Sequence, residues 1–149
     1  MTITLHIGVI DMPYSEGKGE NEGGGVTVGD VAEILENKYK VIGTFIETLG
    51  NDAIERALAH SAQAAVKALL RGGSPDIRLT SKAEEEIESA FRLFLDQREM
   101  DGRPGVPTAA ALKGVNHSLN RPYVKSNPER PSFIDTGLYQ ASFKAWTDD

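Results

Sequence analysis

The sequence predicts an α+β fold, in which a small antiparallel sheet with a long N-terminal hairpin packs against two or three helices and carries an extended, proline-rich C-terminal arm. Three observations predict it. Apolar and polar residues alternate near both ends of the chain, apolar residues recur at helical spacing in the middle, and three prolines fall between residues 121 and 131. At 149 residues the chain is expected to form a single domain, residues 1–149.

The strands are predicted from alternation. Apolar side chains occupy every second position over residues 3–9, which favours a strand with one buried face. The segment SEGKGENEGGG, residues 15–25, has too few apolar groups to offset the entropy of ordering it, so we expect a flexible loop. Residues 26–28 (VTV) would form the second arm of the hairpin. Alternation over residues 138–146 predicts a closing strand, with room for one helical turn before it.

Two helices are predicted before residue 80. A short one opens at Gly29 or Asp30 and runs to about Tyr39. The longest one starts with Asn51 or Asp52 as its N-cap and ends at Arg71, where Gly72-Gly73 supplies a left-handed cap without a Cβ penalty. Its predicted buried stripe consists of Ile54, Leu58, Ala62, Ala65, Val66, Leu69 and Leu70.

The next helix begins with Ser81-Lys-Ala-Glu84, the spacing of a capping box, and should extend to about residue 97. Its predicted buried residues are Ile87, Phe91, Phe94 and Leu95. The helix dipole favours negative charge in the first turns of a helix. We therefore interpret the acids of this helix as capping and solubilising groups and not as a metal cluster. They are Glu84, Glu85, Glu86 and Glu88.

The following segment is rich in glycine and proline. Residues 101–107 form a connector, after which Thr108 would cap a helix reaching Leu119. Proline cannot donate a backbone hydrogen bond, so residues 121–131 should be extended or looped on a surface of the protein or of a partner. We treat residues 121–134 as the arm.

Composition excludes several classes of protein. The chain has no cysteine, so disulfide scaffolds, thiolate zinc sites and cysteine nucleophiles are ruled out. A formal net charge of −6 disfavours a dedicated nucleic-acid binder. No apolar run approaches the roughly 18 residues of a membrane span, and no basic segment precedes the short apolar run at the N-terminus. We therefore expect a protein made in the cytoplasm, without membrane contact.

Residues 133–137 read FIDTG, which is typical of the catalytic loop of an aspartic protease. That chemistry needs two carboxylates that share a proton, and a homodimer of a small domain could supply the pair. The chain after Gly137 is too short to build a substrate cleft and a flap, and the bulky Leu138 stands where a small side chain is usual. A small dimeric hydrolase using Asp135 is therefore the alternative hypothesis. The favoured interpretation is a structural turn formed by Asp135, Thr136 and Gly137.

No other catalytic or cofactor motif is present. Lys18 lies in a glycine-rich loop but lacks the spacing of a phosphate-binding loop. The three histidines have no helical pairing, and no serine lies in a segment that resembles a strained nucleophile turn. We expect no enzyme activity, no metal and no cofactor.

The C-terminal third has a recognisable order of features. Residues 105–146, GVPTAAALKGVNHSLNRPYVKSNPERPSFIDTGLYQASFKAW, combine a proline- and arginine-rich approach, Asp-Thr-Gly-Leu and a terminal strand. This run resembles the neck and tail-completion structural proteins of long-tailed bacteriophages. The opening strand, glycine-rich loop and VAEILE (residues 31–36) resemble the same families, in which Val-Ala-x-x-x-Glu follows a hairpin.

The resemblance implies a non-enzymatic virion protein at the head–tail junction or in the tail. Such proteins form sixfold or twelvefold homo-oligomeric rings that contact neighbouring connector, tail-terminator, tail-tube or sheath proteins and let DNA pass without sequence-specific binding. A tail terminator or another minor tail protein is the alternative within this class. A cytosolic regulatory module that binds a virion protein without being packaged is a third hypothesis.

Two groups of site residues go with this expectation. The acidic side chains of the flexible loop would face the channel and repel DNA; they are Glu16, Glu20 and Glu22. The arm would order against neighbouring subunits. Its expected interface residues are Arg121, Pro122, Tyr123, Arg130, Pro131 and Phe133.

Overall fold

The sheet joins the two ends of the chain. In a computed structural model, which describes residues 3–13 and 25–148, strand β1 (Thr4–Val9) pairs antiparallel with strand β2 (Phe143–Asp148), and Ile7 lies opposite Ala145. The helices between them are α1 (Val28–Tyr39), α2 (Val41–Phe45), α3 (Asn51–Leu70), α4 (Ser81–Asp96), α5 (Ala109–Leu112) and α6 (Leu138–Ser142). The predicted α+β class is confirmed.

Within the described residues, one bridge stands where the N-terminal hairpin was predicted. Pro13 and Thr27 form an isolated antiparallel bridge, but residues 26–28 are not a strand. Thr27 instead caps α1: its hydroxyl accepts from the Asp30 N–H, and the Asp30 carboxylate accepts from the Thr27 N–H at 2.9 Å. A capping box fixes the helix start here, so the β-branched residues 26–28 lead into a helix and not along a sheet.

The predicted N-cap at Asn51 or Asp52 is wrong. A π-helical turn, Ile46–Gly50, joins α2 to α3, and Asn51 itself has helical dihedral angles. Gly50 is buried, and a Cβ there would lie 3.0 Å from the carbonyl oxygen of Phe45, so glycine lets the helical chain continue through this contact. The predicted end is confirmed: α3 stops at Leu70, and Gly72 takes φ +78°.

The buried face of α3 also differs from the prediction. Ala53, Ala57 and Ser61 face the protein interior, and the Ser61 hydroxyl accepts from the Thr80 N–H at 3.1 Å. The larger apolar residues of the predicted stripe are half or more exposed: Leu58, Val66, Leu69 and Leu70. Helices that approach closely need small side chains at the contact, so the alanines face inward and the leucines do not. After Ser61, α3 has no fully buried residue.

Helix α4 provides most of the core. Phe91 and Phe94 are fully buried with Ile87, and Leu95 is 2% exposed, as predicted. The Phe91 ring stacks on Phe143 of β2 at 4.0 Å between centroids and meets Phe45 of α2 edge to face. The helix is capped by Thr80, whose hydroxyl accepts from the Ala83 N–H, one residue earlier than predicted.

The interpretation of the α4 acids as solubilising groups is wrong for Glu88. This residue is 8% exposed, and its carboxylate lies 3.1 Å from Lys144 Nζ and 3.4 Å from the backbone N of Ala145. Glu86 pairs with Arg56 and His60 of α3. Both acids therefore tie α4 to a neighbouring element.

Helix α5 is shorter than predicted. It has the predicted Thr108 cap, whose hydroxyl accepts from the Ala111 N–H, but it ends at Leu112 instead of Leu119. Gly114 at φ +67° stops it and sends the chain into a long irregular segment. Residues 121–131 are looped and not extended. Among the described residues, no helix combines the length and apolar character needed to span a membrane.

Candidate functional site

Residues 113–137, here called the C-terminal loop, contain no helix or strand, yet side-chain hydrogen bonds cross-link them throughout. Loops of this length without secondary structure are uncommon in compact domains and are usually functional. The C-terminal loop is therefore the candidate functional surface of the described residues.

Asp135 anchors the loop from one side. Its carboxylate accepts from the backbone N–H of His117 at 2.7 Å and contacts the ring Nδ1 of His117 at 2.5 Å. Its carbonyl oxygen accepts from the Ser118 hydroxyl at 2.8 Å. The Asp135 and His117 side chains are 21% and 19% exposed, so solvent screens this pair only in part.

His117 connects this anchor to Tyr123. Its Nε2 lies 2.8 Å from the Tyr123 hydroxyl, and the two rings meet edge to face at 5.4 Å. A carboxylate can only accept, so Nδ1 donates to Asp135, and Nε2 shares a hydrogen bond with the Tyr123 phenol. Tyr123 is 72% exposed. Its hydroxyl is held by the protein while its ring is presented to solvent.

A second set of contacts supports the backbone beneath Tyr123. The Asn127 side-chain amide donates to the carbonyls of Arg121 and Pro122 at 2.9 and 3.1 Å, and the Asn116 N–H also donates to Pro122. Gly114 packs against the backbone carbonyls at Asn127 and Pro128, where a Cβ would overlap both oxygens. The loop is thus braced across its base.

The remaining expected interface residues have contacts within the chain. The Arg130 guanidinium donates to the carbonyls of Val115 and Pro131. Phe133, at φ +70°, packs its ring 5.0 Å from that of Tyr39. Arg121 is exposed, whereas Pro122 and Pro131 are partly buried. Contact of any of these residues with a partner stays a prediction.

The Asp-Thr-Gly segment forms a turn. Gly137 takes φ +81° and precedes α6, and its carbonyl accepts from the Ala141 N–H at 2.9 Å. The Thr136 hydroxyl accepts a long bond from the Leu138 N–H. Asp135 does not cap this turn, because its carboxylate is directed to His117.

A cavity of about 270 Å³ lies between α1 and the C-terminal loop; we call it the α1 cavity. It is lined by Val31, Leu35, Tyr39, Thr108, Ala110, Arg130, Phe133, Asp135 and Tyr139. Tyr139 is 3% exposed, and its hydroxyl has no hydrogen-bond partner. Burial raises the pKa of the Tyr139 phenol well above its ordinary value, and the charge of Glu36 adds to the rise.

Comparison with protein-family models, with curated proteins and with solved structures found no match. The site is therefore interpreted from its own geometry.

The geometry around Asp135 differs from that of an aspartic protease. Such an enzyme pairs its aspartate with a second carboxylate that shares its proton. Here both carboxylate oxygens are hydrogen-bonded to His117. The order carboxylate, imidazole, hydroxyl is that of a hydrolase triad, with the phenol of Tyr123 in place of the serine alcohol. In this structure the hydrogen bonds from Asp135 through His117 hold the hydroxyl of Tyr123 in place.

The other titratable groups are dispersed. Each histidine contacts a different acid: His6 contacts Asp148, and His60 contacts Glu86. Within residues 3–13 and 25–148, no group of three or more acids and histidines is arranged to hold a metal ion. The predicted channel residues Glu16, Glu20 and Glu22 lie outside the described residues, as does the rest of the segment 15–25 apart from Gly25.

Sequence reasoning selected Tyr123 and Asp135 but missed the connection between them. His117, Asn127 and Gly114 were not selected as site residues, because each acts through a tertiary contact and not through a local motif. The prolines, the glycines and the Asp-Thr-Gly turn of this segment signalled that the chain bends here, but not which residues the bends bring together.

Proposed function

We propose that this protein is a structural component of a bacteriophage virion, a subunit of a ring at the head–tail connector that joins head to tail and surrounds the DNA channel. The observation that carries the proposal is the braced C-terminal loop that presents Tyr123. The resemblance of residues 105–146 to neck and tail-completion proteins supplies the biological setting. A tail terminator or another minor tail protein is the alternative within the class.

A braced loop is suited to docking because little conformational entropy is lost on binding. Tyrosine is enriched among the residues that dominate interface energies. The C-terminal loop exposes two further apolar residues, Leu119 (42%) and Val124 (38%), and Leu112 (48%) is exposed at the end of α5 just before it. Transfer of this surface from water to a partner's surface would supply the favourable free energy of docking.

The proposed contact with the DNA channel is based only on the negative charge of residues 16–22. An acidic loop lining the channel would repel DNA and let it slide. Replacing Glu16, Glu20 and Glu22 together with Gln should leave assembly intact and alter DNA ejection. Unchanged infectivity and ejection in that variant would count against a channel role.

The docking role of Tyr123 is tested by complementation. Phage lacking the gene would be supplied with the wild type, with Tyr123→Ala, or with Leu93→Ala, which removes a 51% exposed leucine from α4. We expect the Tyr123 variant to fold and its copy number in purified particles to fall at least about tenfold, the loss of roughly 1.4 kcal/mol or more of docking energy. The Leu93 variant should be incorporated normally.

Tyr123→Phe separates the ring from its hydroxyl anchor. It keeps the exposed ring and loses the bond to His117, so we expect intermediate incorporation. Normal incorporation of Tyr123→Ala would contradict a docking role for the loop.

A further inference from the structure

The α1 cavity is suited to an inserted side chain. Its volume of about 270 Å³ falls below the roughly 300–1,000 Å³ of small-molecule sites, so one or two side chains fill it. Val31, Leu35 and Phe133 give it apolar walls. Tyr139 also lines the cavity, with its hydroxyl buried.

The last turn of α3 exposes two leucines that could enter such a cavity. Leu69 is 55% exposed and Leu70 is 82% exposed, the highest exposure among the large apolar residues described. The helix carries no fully buried residue after Ser61, so this end stands clear of the core. The carbonyls of Lys67, Ala68 and Leu69 accept from the N–H groups of Arg71, Gly72 and Gly73, so this turn offers a partner its leucine side chains and not its backbone.

The charges around the two surfaces are opposite. Lys67 and Arg71 flank Leu69 and Leu70, and the nearest acid along the chain, Asp76, pairs with Arg78. Arg130 and Asp135, the charged residues that line the cavity, have opposite signs. Helix α1, which forms one wall, adds three acids and one lysine: Asp30, Glu33, Glu36 and Lys38. Opposite potentials favour the encounter of these surfaces and fix their orientation.

We propose that Leu69 and Leu70 of one copy insert into the α1 cavity of a second copy of this chain. The proposal rests on the ring function above and names the contact that would build the ring. The inserted turn and the cavity are different surfaces of one molecule, so the contact is head-to-tail. Repetition of a head-to-tail contact gives a closed ring when the rotation between neighbours closes.

The first test uses two variants that each remove one half of the contact. Leu70→Glu places a charge on the inserted turn, and Ala110→Trp fills the cavity. Leu93→Glu is the matched control, since Leu93 is also a half-exposed helical leucine. Sedimentation velocity should show oligomers for the wild type and for the control, and monomers for each single variant.

A mixture of the two variants is decisive. One intact turn and one intact cavity remain in each mixed pair, so the mixture should form dimers and nothing larger. Monomers in the mixture, or wild-type-like oligomers of either variant alone, would overturn the proposal. So would a wild type that stays monomeric at about 1 mM, where even weak contacts are populated.

The absence of cysteine permits a direct second test. Leu70→Cys and Ala110→Cys, made in separate chains and mixed under oxidising conditions, should give a disulfide-linked dimer that neither chain gives alone. Absence of that dimer overturns the contact. If Leu70→Glu is packaged at the wild-type copy number, the contact is wrong while the ring function stands; if the wild type is absent from particles, the ring function itself fails.

Discussion

The carboxylate of Asp135 binds both the backbone N–H and the ring Nδ1 of His117, a residue 18 positions earlier in the chain. This relationship joins the turn before α6 to the middle of the C-terminal loop. Because His117 in turn holds the Tyr123 hydroxyl, one aspartate sets the position of an exposed aromatic ring. The Asp-Thr-Gly segment therefore has a structural explanation that requires no catalysis.

Replacement of Asp135 tests this explanation. Asp135→Ala leaves two partly buried donors without an acceptor and should lower the free energy of unfolding by about 1–3 kcal/mol in urea denaturation. Asp135→Asn keeps an acceptor for the backbone N–H, so the loss should be smaller. Asp101→Ala, at an exposed position, is the control. A hydrolytic activity that Asp135→Asn abolishes without loss of stability would instead favour the protease hypothesis.

Gly114 should be intolerant of a side chain. Its φ of +67° alone costs alanine about 1–2 kcal/mol. The added Cβ would also overlap the carbonyl oxygens of Asn127 and Pro128, which are backbone atoms and cannot rotate away. Gly72→Ala has a similar φ of +78° and open space around it, so it incurs the backbone cost alone. Thermal unfolding should show a clearly larger loss for Gly114→Ala; equal losses would contradict the bracing of the loop.

Glu88 should stabilise the attachment of α4 to β2. Glu88→Ala removes the acceptor for the Ala145 N–H and the partner of Lys144, and should cost about 1–3 kcal/mol in urea denaturation. Glu85→Ala removes an exposed acid from the same helix and should change stability by less than about 0.5 kcal/mol. A comparable effect of the two substitutions would show that the buried pair contributes nothing specific.

Tyr139 should make stability sensitive to alkaline pH. The raised pKa of Tyr139 keeps the phenol protonated in the folded protein, while the unfolded chain releases this proton above the ordinary value of 10.0. The unfolded state then binds fewer protons, so the free energy of unfolding falls with rising pH, by about 1.4 kcal/mol per unit for this one group.

Tyr139→Phe should remove that part of the alkaline loss. At pH 7 the substitution also removes a buried hydroxyl that has no partner, so stability should be unchanged or raised by up to about 2 kcal/mol. Urea denaturation of both proteins between pH 8 and pH 11 gives the difference between their free energies of unfolding. The contributions of the other titratable groups are the same in both proteins and cancel in this difference. A difference that does not grow above pH 10 would contradict this assignment.

The sequence correctly predicted the buried face of a helix where its regularly spaced apolar residues are the ones that the core buries. The face of α4 formed by Ile87, Phe91 and Phe94 was correct because large apolar side chains at helical spacing there do fill the core. The same reasoning failed for α3, where close packing selects Ala53 and Ala57 and leaves larger residues outside. Apolar periodicity indicates a helix but does not identify which apolar face is covered by the same chain.

The candidate site was only partly predictable for a different reason. Asp135, His117 and Tyr123 are related by the path of an irregular loop, and no spacing rule predicts such a path. Asn127 and Gly114 support that path by contacts with backbone carbonyls. Every residue has a backbone carbonyl, so the sequence does not indicate which one takes part in such a contact. The exposure of Leu70 likewise became evident only when the orientation of α3 was known.

The role proposed for this protein is that of a subunit of a virion ring. Quantitative mass spectrometry of purified virions, calibrated against the portal and the major tail-tube proteins, measures its copy number directly. A ring predicts a stoichiometry of roughly six or twelve copies per particle. Absence from the particle would contradict the claim and favour a cytosolic module that binds a virion protein without being packaged.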